Sequence, residues 1–462
     1  MGKINNKGID RRGFLKVLGS GAIVSTATFY GCNPKNQTSG GGTNVEYVPT
    51  DKMTYRINHN TGDKVSLLGY GCMRLPTKPK ADGEGELIDQ KEVNKSVDYA
   101  IAHGVNYFDT SPVYVQGMSE HATGIALSHH SREKFYIATK MSNFDPATRS
   151  KEASIAMYHN SLKNLQVNYI DYYLLHALGI DGKQAYQERF IDNGVLDFLL
   201  KEKEAGRIRN LGWSFHGERS FFDYMLSQDI KWDFVQIQLN YVDWEHASEQ
   251  NVNAKYLYNE LTKRNIQAVI MEPLLGGRLS KLNEHLMVQL KQKQPEISTA
   301  SWAFRFAGSL PNVLTVLSGM TYMEHLQDNI RTFSPLQSVT DADKKLLEEI
   351  AQMILKYPNI PCTGCNYCMP CPYGLDIPEI FAHYNRCINE GNIPKDLQDE
   401  NYRQARRAFL IGYDRSVPKL RQANHCISCG QCSIHCPQQI KIPQEMERID
   451  KFVEQLKQET IF

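Results

Sequence analysis

Gly104-Val105-Asn106-Tyr107-Phe108-Asp109-Thr110-Ser111-Pro112-Val113-Tyr114 is an apolar run that ends on an Asp and gives way, through a Ser-Pro turn, to a Tyr. A strand that runs out into a polar loop is where a parallel barrel or an open parallel sheet carries its chemistry. Two more strand-like runs end in the same manner: Phe135–Lys140 on Lys140 and Ile170–His176 on His176. Asp109, Tyr114, Lys140 and His176 therefore stand at or just beyond successive strand C-termini, as members of one site would. A buried ion pair beside a core histidine is the alternative, and matches on consecutive strands weigh against it.

The chemistry of the four can be argued from first principles. Reducing a carbonyl needs a hydride on carbon and a proton on oxygen. A free Tyr, with a pKa near ~10, holds its proton too tightly for easy exchange at neutral pH. A neighbouring ammonium stabilises the phenolate, and Lys140 can supply that charge. Asp109 can pair with Lys140 and hold it in place, since an isolated buried ammonium sheds its proton. His176 can orient and polarise the substrate oxygen, leaving Tyr114 as the acid for reduction and the base for oxidation.

Outward from this stretch, strands and helices alternate. Strands are predicted over about Leu68–Met73, Val105–Asp109, Phe135–Lys140, Ile170–His176, Arg209–Ser214, Phe234–Leu239, Ala268–Glu272 and Val313–Ser318. Helices are predicted over about Gln90–His103, Ser119–Ser128, Lys151–Leu165, Gln184–Ala205, Glu218–Ser227, Ala247–Arg264, Ser298–Ala307 and Tyr322–Thr332. Eight strands joined by crossovers make an α/β fold of the (β/α)8 TIM-barrel kind, here over residues 51–335. Met53–Ile57 and Lys64–Leu67 read as a hairpin under its floor.

In these motifs and their order the chain resembles the aldo/keto reductase family, over roughly Met53–Phe333. The resemblance implies a nicotinamide cofactor, NADP ahead of NAD, and a small carbonyl or alcohol substrate. It implies that Ser214, Gln236 and Asn240 hold the nicotinamide end. The loop with Pro273, Leu274, Gly276 and Arg278 would lie near a phosphate, and Gly319, Met320, Thr321, His325 and Asn329 would receive the remainder. Departures are also visible: Phe215 stands where an Asn is common, Met271 where an aromatic stacks on nicotinamide, and His325 where an Arg grips a 2′-phosphate. No Gly-x-Gly-x-x-Gly opens a βαβ unit, which disfavours a Rossmann dehydrogenase.

Of the 11 cysteines, nine fall between Cys362 and Cys436, a localised cofactor site rather than a disulfide framework. Cys362, Cys365, Cys368 and Cys371-Pro372 form one run; Cys426, Cys429, Cys432 and Cys436-Pro437 form a second with the bacterial ferredoxin spacing. In that spacing the fourth Cys of each run serves the other cluster. Cys362, Cys365, Cys368 and Cys436 are thus assigned to one 4Fe–4S cluster, and Cys426, Cys429, Cys432 and Cys371 to another. Two zinc sites are the alternative, disfavoured by interleaved triplets and the Cys-Pro pairs. Cys72 and Cys387 read as packed residues. Residues 336–462 form a smaller, mainly helical ferredoxin-like domain, with helices over about Thr340–Lys356, Ile377–Cys387 and Asp399–Gly412.

Arg11-Arg12-Gly13-Phe14-Leu15-Lys16, followed by a short apolar run, matches a twin-arginine export signal over residues 1–32. Gly31-Cys32 allows lipidation at Cys32, and residues 33–50 read as a flexible tether. The expected place is periplasmic or membrane-anchored, or cytoplasmic if the signal goes unused. A formal charge of +1 argues against nucleic-acid binding. The composite expectation is an exported oxidoreductase whose barrel moves hydride and whose clusters move electrons to a protein or membrane carrier. A non-catalytic cofactor-binding barrel with structural clusters is the competing class.

Overall fold

The computed structural model describes residues 47–81, 85–247 and 251–460. Eight strands close into a parallel barrel: β1 Leu68–Gly71, β2 Tyr107–Asp109, β3 Tyr136–Met141, β4 Ile170–Leu178, β5 Ile208–Phe215, β6 Phe234–Gln238, β7 Gln267–Met271 and β8 Val313–Gly319. Neighbours follow chain order, and β8 returns to β1 with Val316 opposite Leu68. Tyr107, Tyr172, Leu174, Phe234, Val269 and Leu314 fill the interior as one cluster, so the barrel is a packed core rather than a pore.

The hairpin Tyr55–Ile57/Lys64–Ser66 lies where the sequence puts it. Its turn residue Asn58 is buried and donates to the Tyr172 hydroxyl at 2.9 Å and to Asn210 Oδ1 at 3.2 Å, which plugs the floor. Chemistry is left to the opposite mouth.

Where helices differ from expectation, the cause is local. Gln184–Ala205 is not one helix. Gly194 adopts φ +66°, which separates Gly182–Tyr186 and a wider turn, Gln187–Ile191, from Val195–Glu204. The wider turn carries Arg189 inward, where Nη2 donates to the His176 carbonyl at 2.9 Å. Ala247–Arg264 shortens to Ala254–Lys263, preceded by a turn of helix at Asp243–His246. The helices Glu284–Lys293 and Ile442–Gln458 and the strand pair Thr77–Pro79/Glu86–Ile88 add to the expected set.

The domain boundary moves. The helix Asp341–Leu355, placed in the second domain from the sequence, buries Leu347, Ile350, Ala351 and Ile354 in the barrel's core. Lys293 pairs with its Asp343 at 3.0 Å and His246 with its Glu348 at 2.7 Å. A separate core begins at Ile360 and gathers Phe381, Phe409, Met446 and Ile449 from the helices Ile377–Asn389, Tyr402–Ser416 and Ile442–Gln458. Val48–Phe462 is one unit, and both cysteine runs lie on its loops. The expected signal at residues 1–32, Cys32 with it, and most of the tether 33–50 lie outside the described residues.

Candidate active site

β2 ends at Asp109 and β3 carries Lys140 beside it, because Asp109 is in register with Ala138 across the ladder. Lys140 Nζ donates to Asp109 Oδ1 at 2.6 Å and to the Thr110 carbonyl at 2.8 Å. Burial pushes the ammonium down and the carboxyl up, and their attraction opposes both shifts. Asp109 Oδ2 is buried without a partner.

Tyr114 opens a turn in which Val115 and Gln116 both take left-handed backbone, φ +48° and +54°, ahead of Gly117 at φ +86°. Left-handed backbone costs a non-glycine residue about 1–2 kcal/mol, so the surrounding structure holds this turn in place, and with it the phenol. Lys140 Nζ lies 4.8 Å from the Tyr114 ring centroid. The sequence reading had the ammonium acidifying this phenol. Instead, burial first, then Tyr367, Asp109 and Glu272, push it well above 10. The physical reason is burial: a phenolate sealed from water loses its hydration, and the nearby Asp109 and Glu272 disfavour it further. Tyr114 is a firmly protonated acid.

His176 sits near the end of β4. Nδ1 is hydrogen-bonded with Ser142 Oγ at 2.6 Å, and Ser111 Oγ stands 3.4 Å away. Phe144 packs on the ring at 5.0 Å between centroids. Burial, with Lys140, Arg189 and His216 around it, drives the imidazole well below 6.5, so it is neutral. Nε2 faces the hydroxyl of Tyr367 at 3.2 Å, and that hydroxyl also lies close beside Tyr114.

From this point a cavity of about 460 Å³ runs outward. Ser214, Gln236, Met271, Pro273, Leu274, Gly276, Gly319, Thr321, His325 and Asn329 line it, as the sequence suggested, and Cys365, Tyr367, Pro437 and Gln438 of the second domain form its other wall. Gln236 Nε2 donates to Met271 Sδ at 3.5 Å, while its Oε1 is buried with no partner. An amide donor arriving in the cavity would satisfy that oxygen, so the residues present fit a nicotinamide carboxamide.

Three expected cofactor residues are not on the lining. Asn240 is consumed locally, donating to Asp243 Oδ2 at 2.7 Å and to the Glu272 carbonyl at 3.1 Å. Arg278 is turned toward Asp243, Cys362 and Tyr241. Met320 is buried in the barrel's core. Gly276 is needed for another reason than phosphate approach: it has φ +68°, and a Cβ there would meet Thr363 Cα at 2.3 Å. The Gly-rich loop receives the cysteine domain.

The thiols of the two runs lie near one another. Cys362, Cys365, Cys368 and Cys436 lie close enough to raise one another, with Cys365 pushed up to about 12 by burial first. Cys432 is likewise influenced by Cys426 and Cys371, while Cys429 is exposed. Gly364 N–H points at Cys362 Sγ, 3.4 Å away. Among the described residues no three His, Cys, Asp or Glu side chains converge on a single ion. Thiolates are the donors that cubanes take, so the donor set of the two runs fits clusters.

Residues 67–351, more than half of the sequence, match the aldo/keto reductase family. The chain belongs to that family. Residues 361–440 match the 4Fe-4S dicluster domain. Protein tas of Escherichia coli (strain K12) is 32% identical over 188 residues, which spans 35% of this chain and only about half, 51%, of that protein. L-galactose dehydrogenase of Arabidopsis thaliana is 25% identical over 67% of this chain and 97% of its own length. The aldo-keto reductase AKR11C1 from Bacillus halodurans (holo form) superposes with a TM-score of 0.52 at 22% identity, over 64% of this chain and 96% of that one, a likeness of fold.

Tyr367, Ser142, Ser111 and Arg189 were missed from the sequence. Serines in polar loops carry no signal of their own, and Tyr367 is hidden inside a cysteine run.

Proposed function

We propose that the protein is a nicotinamide-dependent oxidoreductase. Its barrel interconverts a carbonyl and an alcohol, and its second domain passes electrons through two 4Fe–4S clusters. The observation that carries the first half is the convergence of the Tyr114 hydroxyl and His176 Nε2 on one point beside a cavity with an unpartnered amide oxygen, Gln236 Oε1. When bound, the dinucleotide supplies or takes the hydride. Tyr114 delivers a proton to the carbonyl oxygen. The neutral His176, steered by Ser142, orients that oxygen without adding a charge. Lys140 and Asp109 hold the floor of the site.

Ser214 and Gln236 would hold the nicotinamide end, with Gly319, Thr321 and Asn329 further out. Glu324 and Asp328 line the outer cavity on either side of His325. Carboxylates there repel a 2′-phosphate and can accept from a 2′-hydroxyl, so we read NAD ahead of NADP.

Cys362, Cys365, Cys368 and Cys436 would hold one cluster, and Cys371, Cys426, Cys429 and Cys432 the other; when bound, such clusters supply one-electron storage. Electron coupling is supported by Cys365, which belongs both to a thiol set and to the cavity wall. We further propose export by the twin-arginine route, with the dinucleotide bound before export, and with an electron-transfer protein or membrane carrier as partner. An exported protein that yields no nicotinamide on extraction would refute the bound-cofactor part.

The test of the barrel is Tyr114→Phe in full-length protein purified anaerobically and screened with carbonyls and alcohols. Turnover should fall by roughly 10²–10⁴, the weight of a general acid; undiminished turnover would refute the assignment. Substrate-driven bleaching of the cluster absorbance tests the coupling. A second reading, a non-catalytic barrel with structural clusters, is favoured by the placement of the Tyr367 hydroxyl between Tyr114 and His176. Absence of turnover in wild type would select it.

A further inference from the structure

Tyr367 comes from the cysteine domain yet stands in the barrel's reaction centre. Its hydroxyl is 3.2 Å from His176 Nε2 and lies close beside Tyr114. Its ring meets His176 edge-on at 6.2 Å and Phe144 at 6.4 Å between centroids. A carbonyl being reduced must bring its oxygen within reach of the same two groups, one giving the proton and one orienting the oxygen. A single position is therefore claimed by two oxygens.

We propose that the Tyr367 hydroxyl is the resting occupant of the substrate-oxygen position, and that a carbonyl enters only by displacing it. This rests on the carbonyl-reduction reading above. The displacement has few routes. Cys365 and Cys368 bracket Tyr367 in sequence, and both are gathered with Cys362 and Cys436. Just upstream, Arg74 Nη2 donates to the Thr363 carbonyl at 2.6 Å, and Thr363 is pressed on Gly276. The backbone is thus pinned, and the ring can leave either by turning into the adjacent cavity or with a shift of the whole thiol loop. A filled cavity leaves the second route alone, so substrate admission is tied to the position of the cysteine loop. The aromatic ring of Tyr367 then becomes a wall of the opened site and sets the size of carbonyl that fits.

The test uses the full-length, anaerobically purified protein as wild type, Tyr367→Phe and Tyr367→Ala, with cluster absorbance retained. Acylation of His176 by diethyl pyrocarbonate, followed by peptide mass spectrometry, reports whether Nε2 is covered. The exposed His129 serves as internal reference. Labelling of His176 should be slow in wild type, faster in Tyr367→Phe and fastest in Tyr367→Ala; equal rates in all three would overturn the proposal. Reduction of 4-nitrobenzaldehyde then reads the competition. Tyr367→Phe should lower KM by roughly three- to tenfold with kcat unchanged, the weight of about one net hydrogen bond. A fall in kcat at constant KM would make Tyr367 a proton donor and overturn the proposal. No turnover by any variant would sink the carbonyl reading, while the labelling would still decide what fills the position.

Discussion

In Asp109→Leu, Lys140 would keep one acceptor, the Thr110 carbonyl at 2.8 Å, and lose a counter-charge at 2.6 Å. Both side chains are sealed from water, Lys140 at 0% and Asp109 at 2% exposure. Breaking a buried pair in this way costs about 3–5 kcal/mol, or roughly 6–15 °C in unfolding midpoint for a domain of this class. The sign of its pH dependence follows from the direction of the shift. Burial already holds Lys140 below its ordinary value, and Asp109 opposes that shift, so removing Asp109 lowers it further. A lysine depressed in the fold destabilises it at every pH below the unfolded value near ~10.4. The deficit is fully present below the folded value and shrinks as pH rises from there toward the unfolded one. Thermal unfolding followed by circular dichroism at neutral and alkaline pH reads both size and trend. The partner experiment is Asp109→Leu with Lys140→Met, which should recover to within about 1 kcal/mol of wild type, since an apolar replacement of a buried pair is near neutral. A single variant losing less than about 1 kcal/mol would put the pair in water. A double variant as unstable as the single would make the loss one of packing.

Three other outcomes follow from the site. Because Tyr114 is held well above 10 and His176 is neutral, carbonyl reduction should show no loss of rate as pH rises from neutrality toward the ordinary phenol value, whereas alcohol oxidation should climb with pH; an inflection near 6.5 in reduction would contradict the neutral imidazole. Calorimetric titration should find NADH bound more tightly than NADPH, and Glu324→Arg should narrow the gap by about tenfold, a charge reversal at partly screened distance; tighter NADPH binding in wild type would refute the role given to Glu324 and Asp328. Gly276→Ala would set a methyl 2.3 Å from Thr363 Cα and add about 1–2 kcal/mol of left-handed strain. It should speed proteolysis around residues 355–365 and lower the unfolding midpoint by roughly 2–8 °C.

The barrel was legible because its signals are local and repeated. Each strand is a short apolar run, and each of the residues Asp109, Lys140 and His176 falls at a strand end, where the fold places function. The iron–sulfur domain was legible because cysteine spacing is a property of the chain itself. What escaped depends on tertiary packing. Arg278 follows a Gly-rich stretch and reads as a phosphate ligand, but it is half-buried away from the cavity with Asp243 as its main charge partner. The acidity expected of Tyr114 required knowing how completely the phenol is buried, and the reach of Tyr367 to His176 spans a separation in sequence that no periodicity encodes. Asp341–Leu355 was assigned by its neighbours in sequence, when its apolar face belongs to the barrel.

Among the described residues, no ion pair crosses the seam between barrel and cysteine domain. Gln238 and Gln438 exchange amide hydrogen bonds at 2.9 and 3.4 Å, Arg74 holds a backbone carbonyl, and Gly276 meets Thr363 by bare contact. Amides do not titrate in the physiological range, and van der Waals contact is blind to ionic strength. The two halves should therefore stay latched in brine as in dilute buffer, which leaves the joint indifferent to swings in ionic strength.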